Sequence, residues 1–146
     1  MTAGREGGGT VERSDDVRDA VLDFYRGVSE KQIERFDEIV SGHPATLVIG
    51  TAPGEWVTER PRLRFGFEAE GLRIEPGPSP AGWSEGTLGW FTDEPRFIIP
   101  SGDAWRTRLT AVVRREDDRW KVVHMHWSIG VPDEETTELQ ARWGVA

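Results

Sequence analysis

The chain of 146 residues has the length of a single domain, and its formal net charge at pH 7 is −8. Seven Trp and six Phe exclude a disordered chain, and the acidic balance argues against nucleic-acid binding. The chain has no cysteine, which excludes disulfides, thiol catalysis and cysteine-ligated zinc. No run approaches the roughly 20 apolar residues of a membrane helix, and the first residues lack the apolar segment of a signal peptide. We therefore expect a cytoplasmic protein that binds no membrane.

The first part of the chain predicts an arm followed by a helix. Residues 1–13 contain four glycines and no apolar pattern, so we predict a flexible N-terminal arm before a domain over residues 14–132. Ser14 precedes two aspartates, which is typical of a helix N-cap and its first turn. Apolar residues then recur at helical spacing, at Val17, Ala20, Val21, Phe24, Tyr25 and Val28.

Two further helices are predicted before the strands. The Ser-Glu-Lys-Gln sequence at 29–32 has the pattern of a capping box. It predicts a second helix that carries Phe36 and Ile39 on its apolar face and ends at Gly42. A shorter third helix is predicted over about residues 59–70, where Pro61 suits the first turn.

The rest of the chain has the pattern of short strands. Strands are predicted at residues 45–51, 72–75, 84–92, 97–99, 104–115 and 119–129. The polar residues 116–118 are predicted to join the last two strands as a hairpin, and residues 133–146 to form a C-terminal helix or tail. Helices followed by antiparallel strands predict an α+β fold.

Four segments carry a resemblance to a known family. They are IGTAPGEW at 49–56, GWF at 89–91, RLTAV at 108–112 and WKVVHMHWS at 120–128. Their order and spacing over residues 15–132 resemble the SnoaL-like domain family, within the nuclear transport factor 2-like and ketosteroid-isomerase-like superfamily. The resemblance implies a cone-shaped, curved antiparallel sheet wrapped around about three N-terminal helices. It also implies a pocket at the wide end and a homodimer formed through the outer sheet face.

The predicted last strand carries the candidate catalytic residue. His124, His126 and Ser128 are two residues apart, so their side chains are expected on one face of the strand. If that face lines the pocket, His126 is the candidate acid–base residue, because imidazole titrates near neutral pH. The alternative is that a histidine bonds a backbone carbonyl or a carboxylate and has a structural role. No third ligand is fixed by the spacing, so we predict no metal and no cofactor.

Arg108 and Thr110 share one face of the neighbouring strand and are predicted to bind ligand together with the histidines. A buried arginine needs an anionic partner. That partner is either a ligand carboxylate or carbonyl, or an internal carboxylate, for which Glu55 and Glu85 are the candidates.

The tryptophans divide between the pocket and a dimer interface. Trp56 follows a turn and Trp90 follows a glycine, and both are predicted at the pocket mouth. Trp105 and Trp127 alternate with Arg108 and His126, so we predict them on the outer sheet face as interface residues.

Three functions remain open. The first is a small homodimeric binding domain whose pocket holds a mainly apolar molecule. The second is an enzyme of cyclase, dehydratase, isomerase or hydrolase type, using His126 as acid–base and Arg108 as anion stabiliser. The third is a non-catalytic dimerisation domain whose pocket is filled by its own side chains. Steroid-type isomerisation is not predicted, because the resemblance implies a base in the first strand and residues 45–51 contain no carboxylate.

Overall fold

The structure is a computed structural model and describes residues 9–144. In that range the helices are α1 (Asp15–Ser29), α2 (Phe36–Ile39), α3 (Arg60–Glu68) and α4 (Asp133–Trp143), with a 3₁₀ turn at Ile33–Arg35. The strands are β1 (Glu12–Arg13), β2 (Leu47–Ile49), β3 (Trp56–Val57), β4 (Arg73–Glu75), β5 (Ala81–Glu85), β6 (Leu88–Asp93), β7 (Arg96–Ile98), β8 (Ala104–Arg106), β9 (Arg108–Glu116) and β10 (Arg119–Ser128). None of these helices has the length and apolar character needed to cross a membrane.

The strands form two sheets. The larger has the order β1-β5-β6-β9-β10-β2-β3, and the smaller has the order β4-β7-β8. This architecture confirms the predicted α+β class. The expectation of a purely antiparallel sheet needs one correction, because β2 pairs with β10 in parallel. A parallel pair needs a crossover connection, which the long chain between these strands supplies.

Helix α1 packs against the inner face of the large sheet. Its N-cap is Ser14, whose hydroxyl accepts a hydrogen bond from the Val17 amide at 3.1 Å. The helix approaches β5 and β6 closely at two glycines. A Cβ on Gly82 would come within 2.6 Å of the Arg18 amide nitrogen, and one on Gly89 within 2.6 Å of Val17 Cγ2. This close contact holds α1 inside the curve of the sheet.

The predicted start of the second helix is wrong. Ser29 is the last residue of α1, and its hydroxyl accepts a hydrogen bond from the amide of Ile74 at 2.9 Å instead of capping a new helix. Lys31 has a φ of 53°, which breaks the helical path. The chain resumes as a 3₁₀ turn and the single-turn α2, which buries Phe36 and Ile39.

Two predicted strands are each divided. Residues 84–92 lie in the hairpin of β5 and β6, whose turn has Gly86 at a φ of 62°. Residues 104–115 are split at Thr107, whose amide and hydroxyl both donate to the carbonyl of Pro95. At this contact the chain passes from β8 of the small sheet to β9 of the large one. The predicted turn at 116–118 is present, with Asp117 and Asp118 both at positive φ.

The segments outside the central domain are only partly described. Of the predicted arm, residues 1–8 lie outside the described residues, while Glu12 and Arg13 form β1 and pair with β5. After β10 the chain forms α4, which ends at Gly144 in the left-handed conformation.

Candidate ligand-binding cavity

A cavity of about 400 Å³ lies inside the curve of the two sheets. Its walls come from α1, from α3, from the β2–β3 pair and from the small sheet together with the end of β10. The apolar lining residues are Phe24, Val28, Val48, Val57, Leu63, Phe65, Leu72, Ile74, Phe97, Trp105 and Trp127. The cavity is therefore shaped by both sheets and two helices, and its surface is mostly hydrocarbon.

Aromatic packing sets one wall of the cavity. Trp127 is 7% exposed and packs edge-to-face on Phe97, with ring centroids 5.6 Å apart. Tyr25 lies beside Trp127 at a centroid distance of 6.4 Å. Phe24, another lining residue, packs edge-to-face on Phe67 at 5.4 Å. Edge-to-face contact is an arrangement that aromatic pairs prefer, so these rings support one another around the cavity.

Few polar groups reach the cavity. Of the described residues that line the cavity, only Glu55 and Arg62 have ionisable side chains. Glu55 Oε1 accepts a hydrogen bond from the amide of Ala52 at 2.6 Å, which holds its carboxylate in the turn after β2. Arg62 lies in α3 and forms a 3.5 Å ion pair with Glu59. Both charges thus belong to the rim of the cavity that the β2–β3 turn and α3 share.

Two aromatic side chains line the cavity and are also exposed to solvent. Phe65 is 62% exposed and Trp105 is 42% exposed. A lining residue with that much exposure marks the opening of a cavity. The opening therefore lies between α3 and the small sheet.

Comparison with known proteins identifies the family. The sequence pattern of the SnoaL-like domain matches residues 17–132. The chain belongs to the SnoaL-like domain family. This confirms the predicted family over most of the described residues. No curated protein matches the chain.

Solved structures resemble this SnoaL-like domain in fold. A candidate dehydratase of the NTF2-like family from Streptomyces avermitilis is 20% identical, has a TM-score of 0.65, and the match covers 81% of this chain and 96% of that one. An NTF2-like protein of unknown function from Pseudomonas putida is 14% identical with a TM-score of 0.63, covering 81% and 87%. A cystatin-like fold protein from Burkholderia xenovorans is 19% identical with a TM-score of 0.62, covering 86% and 100%. At these identities the likeness shows the fold alone.

The face of β10 that carries the two histidines points away from the helices and not into the cavity. In β10 the residues Val122, Met125 and Trp127 are buried, whereas His124 is half-buried and His126 is exposed. A β-bulge at Val123 places Val122 and the histidines on opposite faces, because the register against β9 shifts between Val122 and His124. The expectation that the histidines line the pocket is corrected, because the buried side chains at this end of the strand are those of Met125 and Trp127.

Arg108, Thr110 and Ser128 also lie on the outer sheet face. On β9 the buried residues are Leu109, Ala111 and Val113, so Arg108 and Thr110 between them are exposed. Arg108 Nε donates to the Ser128 hydroxyl at 3.2 Å, and not to the carboxylates proposed as internal partners. His124 Nδ1 lies 3.1 Å from the carbonyl oxygen of Leu47, a contact of the kind a structural histidine makes.

The structure reverses the predicted locations of the tryptophans. Trp56, on β3, is 62% exposed and pairs with Ile49 of β2 on the outer face. Trp90, on β6, lies on the same outer face and pairs with Val112 of β9. Neither lines the cavity. The two predicted interface residues, Trp105 and Trp127, instead line it. Alternation was predicted correctly along β9 and from His124 to Ser128, but the face that meets the helices was inverted.

The sequence interpretation missed the residues that build the cavity. Phe24 and Val28 have a detectable signal, since they lie four residues apart on the predicted first helix. Val48 and Val57 form a cross-strand pair on the inner face of β2 and β3. Glu55 lies in the 49–56 segment but was predicted only as a candidate partner of Arg108, and Arg62 had no motif around it, so only the fold brings the two to one rim.

Proposed function

We propose that this SnoaL-like domain binds a small, mainly apolar molecule in the cavity between its sheets and helices. The observation that carries the proposal is the cavity itself, whose interior walls are hydrocarbon and whose ionisable groups are Glu55 and Arg62 at one rim. Its volume of about 400 Å³ falls in the range of ligand pockets, about 300–1,000 Å³. An apolar body would lie against Trp127 and Phe97, with any polar end near the charged rim.

The cavity favours binding over acid–base catalysis. The enzymatic alternative assigned that chemistry to His126, which lies on the outer face of β10, away from the cavity. A general acid or base must come within hydrogen-bond reach of the group it protonates or deprotonates. The third alternative, a cavity filled by the protein's own side chains, is disfavoured by the open volume beside Phe24 and Trp127.

A neutral fluorescent probe tests the proposal. N-phenyl-1-naphthylamine is uncharged and fluoresces strongly once it leaves water, so we expect saturable binding to the wild-type protein. Gly66 lines the cavity, and a Cβ there would meet only Val28 Cγ2, at 3.6 Å. The Gly66→Leu substitution should fill the cavity without opposing α3, because leucine is a better helix former than glycine.

The matched control is Gly42→Leu. Gly42 is exposed, and a Cβ on it would meet no atom within 4 Å. We expect Gly66→Leu to weaken probe binding at least tenfold and Gly42→Leu to leave it unchanged. Equal affinities in all three proteins, or no saturable binding by the wild type, would contradict the proposed function.

We also propose a homodimer formed through the outer sheet face. This face carries exposed or half-buried apolar side chains in neighbouring strands, among them Trp90 and Val112, and Ile49 with Trp56. Exposed apolar side chains on a sheet face mark an interaction site, and here they form two groups on either side of His124 and His126 in β10. The absence of cysteine suits a reducing compartment, and we propose that the dimer acts in the cytoplasm.

Sedimentation equilibrium tests the dimer. Val112 lies between Trp90 and His124 on neighbouring strands, so a charge placed there faces the interface. We expect a wild-type dimer and a monomeric Val112→Glu variant, while Ser79→Glu in an exposed loop stays dimeric. A monomeric wild type at micromolar concentration would refute this part of the proposal.

A further inference from the structure

Helix α4 packs only slightly against the rest of residues 9–144. It spans Asp133–Trp143, 11 residues, and none of them is buried. Isolated helices shorter than about 12–15 residues are marginal in water, so a helix of this length normally gains its stability by packing. Its polar contacts are internal, since Thr136 bonds the Pro132 carbonyl and Arg142 pairs with Glu138.

One side of α4 carries its large apolar residues. Leu139 and Trp143 are four residues apart and so lie together on the helix surface. Trp143 is 55% exposed, and Ile129 at the end of the large sheet is exposed as well. Leu139 is half-buried, so the described part of the protomer covers this apolar stripe only in part.

The charges of α4 are complementary to those where β8 of the small sheet leads into β9 of the large sheet. The first turn of α4 holds Asp133, Glu134 and Glu135. Arg106 and Arg108, at the end of β8 and the start of β9, are both exposed. In the part of the chain that the structure describes, neither arginine forms an ion pair with a carboxylate, and the polar contact of Arg108 is with Ser128.

We propose that α4 of one protomer docks on the outer sheet face of a second copy of this chain. The acidic first turn faces Arg106 and Arg108 of that copy, and Leu139 with Trp143 packs on its exposed apolar residues. The inference rests on the proposed dimer and adds α4 to its interface. A second copy suits the surface because both complementary charge groups belong to the same chain, and a two-fold symmetric interface uses each of them twice.

Charge reversal tests the docking. The double variant Glu134→Lys with Glu135→Lys reverses the charge of the first turn of α4. The double variant Arg106→Glu with Arg108→Glu reverses the charge of the surface it is proposed to meet, and a fourfold variant combines the two. We expect each double variant to raise the dimer dissociation constant at least tenfold, and the fourfold variant to return it to within about threefold of wild type. The control, Glu68→Lys with Glu70→Lys, reverses two exposed acids elsewhere and should leave the constant unchanged. Circular dichroism confirms that each variant is folded.

Hydrogen exchange of the α4 amides gives an independent measurement. We expect slow exchange in the wild-type dimer and fast exchange in the monomeric Val112→Glu variant. If the wild type is a dimer but charge reversal leaves the dissociation constant unchanged and α4 exchanges fast, the docking is wrong while the dimer stands. If the wild type is a monomer, both proposals fail.

Discussion

The hydroxyl of Tyr25 donates a hydrogen bond of 2.9 Å to Oδ2 of Asp93, which joins the middle of α1 to the end of β6. The same carboxylate oxygen accepts the amide of Gly77 at 3.0 Å. Both side chains are buried, and Tyr25 also packs on Trp127 in the cavity wall. The bond therefore fixes the helix against the sheet directly behind the cavity.

Removing this hydroxyl should destabilise the fold. Tyr25→Phe leaves the buried carboxylate of Asp93 with one donor fewer, a loss that costs about 1–3 kcal/mol of unfolding free energy. Urea unfolding of the two proteins measures the difference. Ser79→Ala, which removes an exposed hydroxyl, is the control and should change the unfolding free energy by less than about 0.5 kcal/mol. An unchanged midpoint in Tyr25→Phe would show that the bond adds no stability.

The same pair predicts a loss of stability at alkaline pH. Burial, and then the charge of Asp93, hold the pKa of the Tyr25 hydroxyl well above its usual range. The unfolded chain loses this proton near pH 10, while the folded protein retains it. The contribution of Tyr25 to the unfolding free energy should therefore fall by about 1.4 kcal/mol per pH unit above about pH 10. Unfolding of the wild type and of Tyr25→Phe at pH 9, 10 and 11 measures this, and a difference that stays constant with pH would contradict it.

Replacing Gly27 even by alanine should destabilise the protein. A Cβ on it would collide with the ring of Phe67 and come within 3.2 Å of Ile39 Cδ1. Although alanine is favoured over glycine inside helices, overpacking a core costs about 1–3 kcal/mol, so Gly27→Ala should destabilise the protein. Gly42→Ala, at an open surface, is the matched comparison. Thermal unfolding would disprove the expected clash if Gly27→Ala were the more stable variant.

The bulge in β10 predicts which side chains thiol reagents can reach. The natural chain has no cysteine, so single-cysteine variants report one site each. In the Val112→Glu background, which keeps the outer face uncovered, His126→Cys should react with Ellman's reagent at least tenfold faster than Met125→Cys. The reason is that His126 is exposed while Met125 is buried. The reverse order of rates would mean that the strand has the register expected without a bulge.

Much of the local structure follows from the sequence. The N-cap at Ser14 and the apolar spacing from Val17 to Val28 predict α1 correctly, because these contacts form within the helix itself. The polar turn at 116–118 is also predicted, since its residues favour the positive φ that a tight hairpin needs. Alternation along β9 and β10 likewise separates His126 from Trp127 correctly.

No local sequence pattern predicts which side chains line the cavity. Alternation places residues on two faces but does not say which face meets the helices, and the bulge at Val123 reverses that face within one strand. Ser29 could cap a helix by its sequence, yet it bonds Ile74 because tertiary packing brings β4 to it. Residue patterns were enough to predict the family, the α+β class and the strand periodicity. That Trp127 and Phe97 line the cavity while His126 lies outside follows only from the packed fold, because it depends on contacts between residues far apart in the chain.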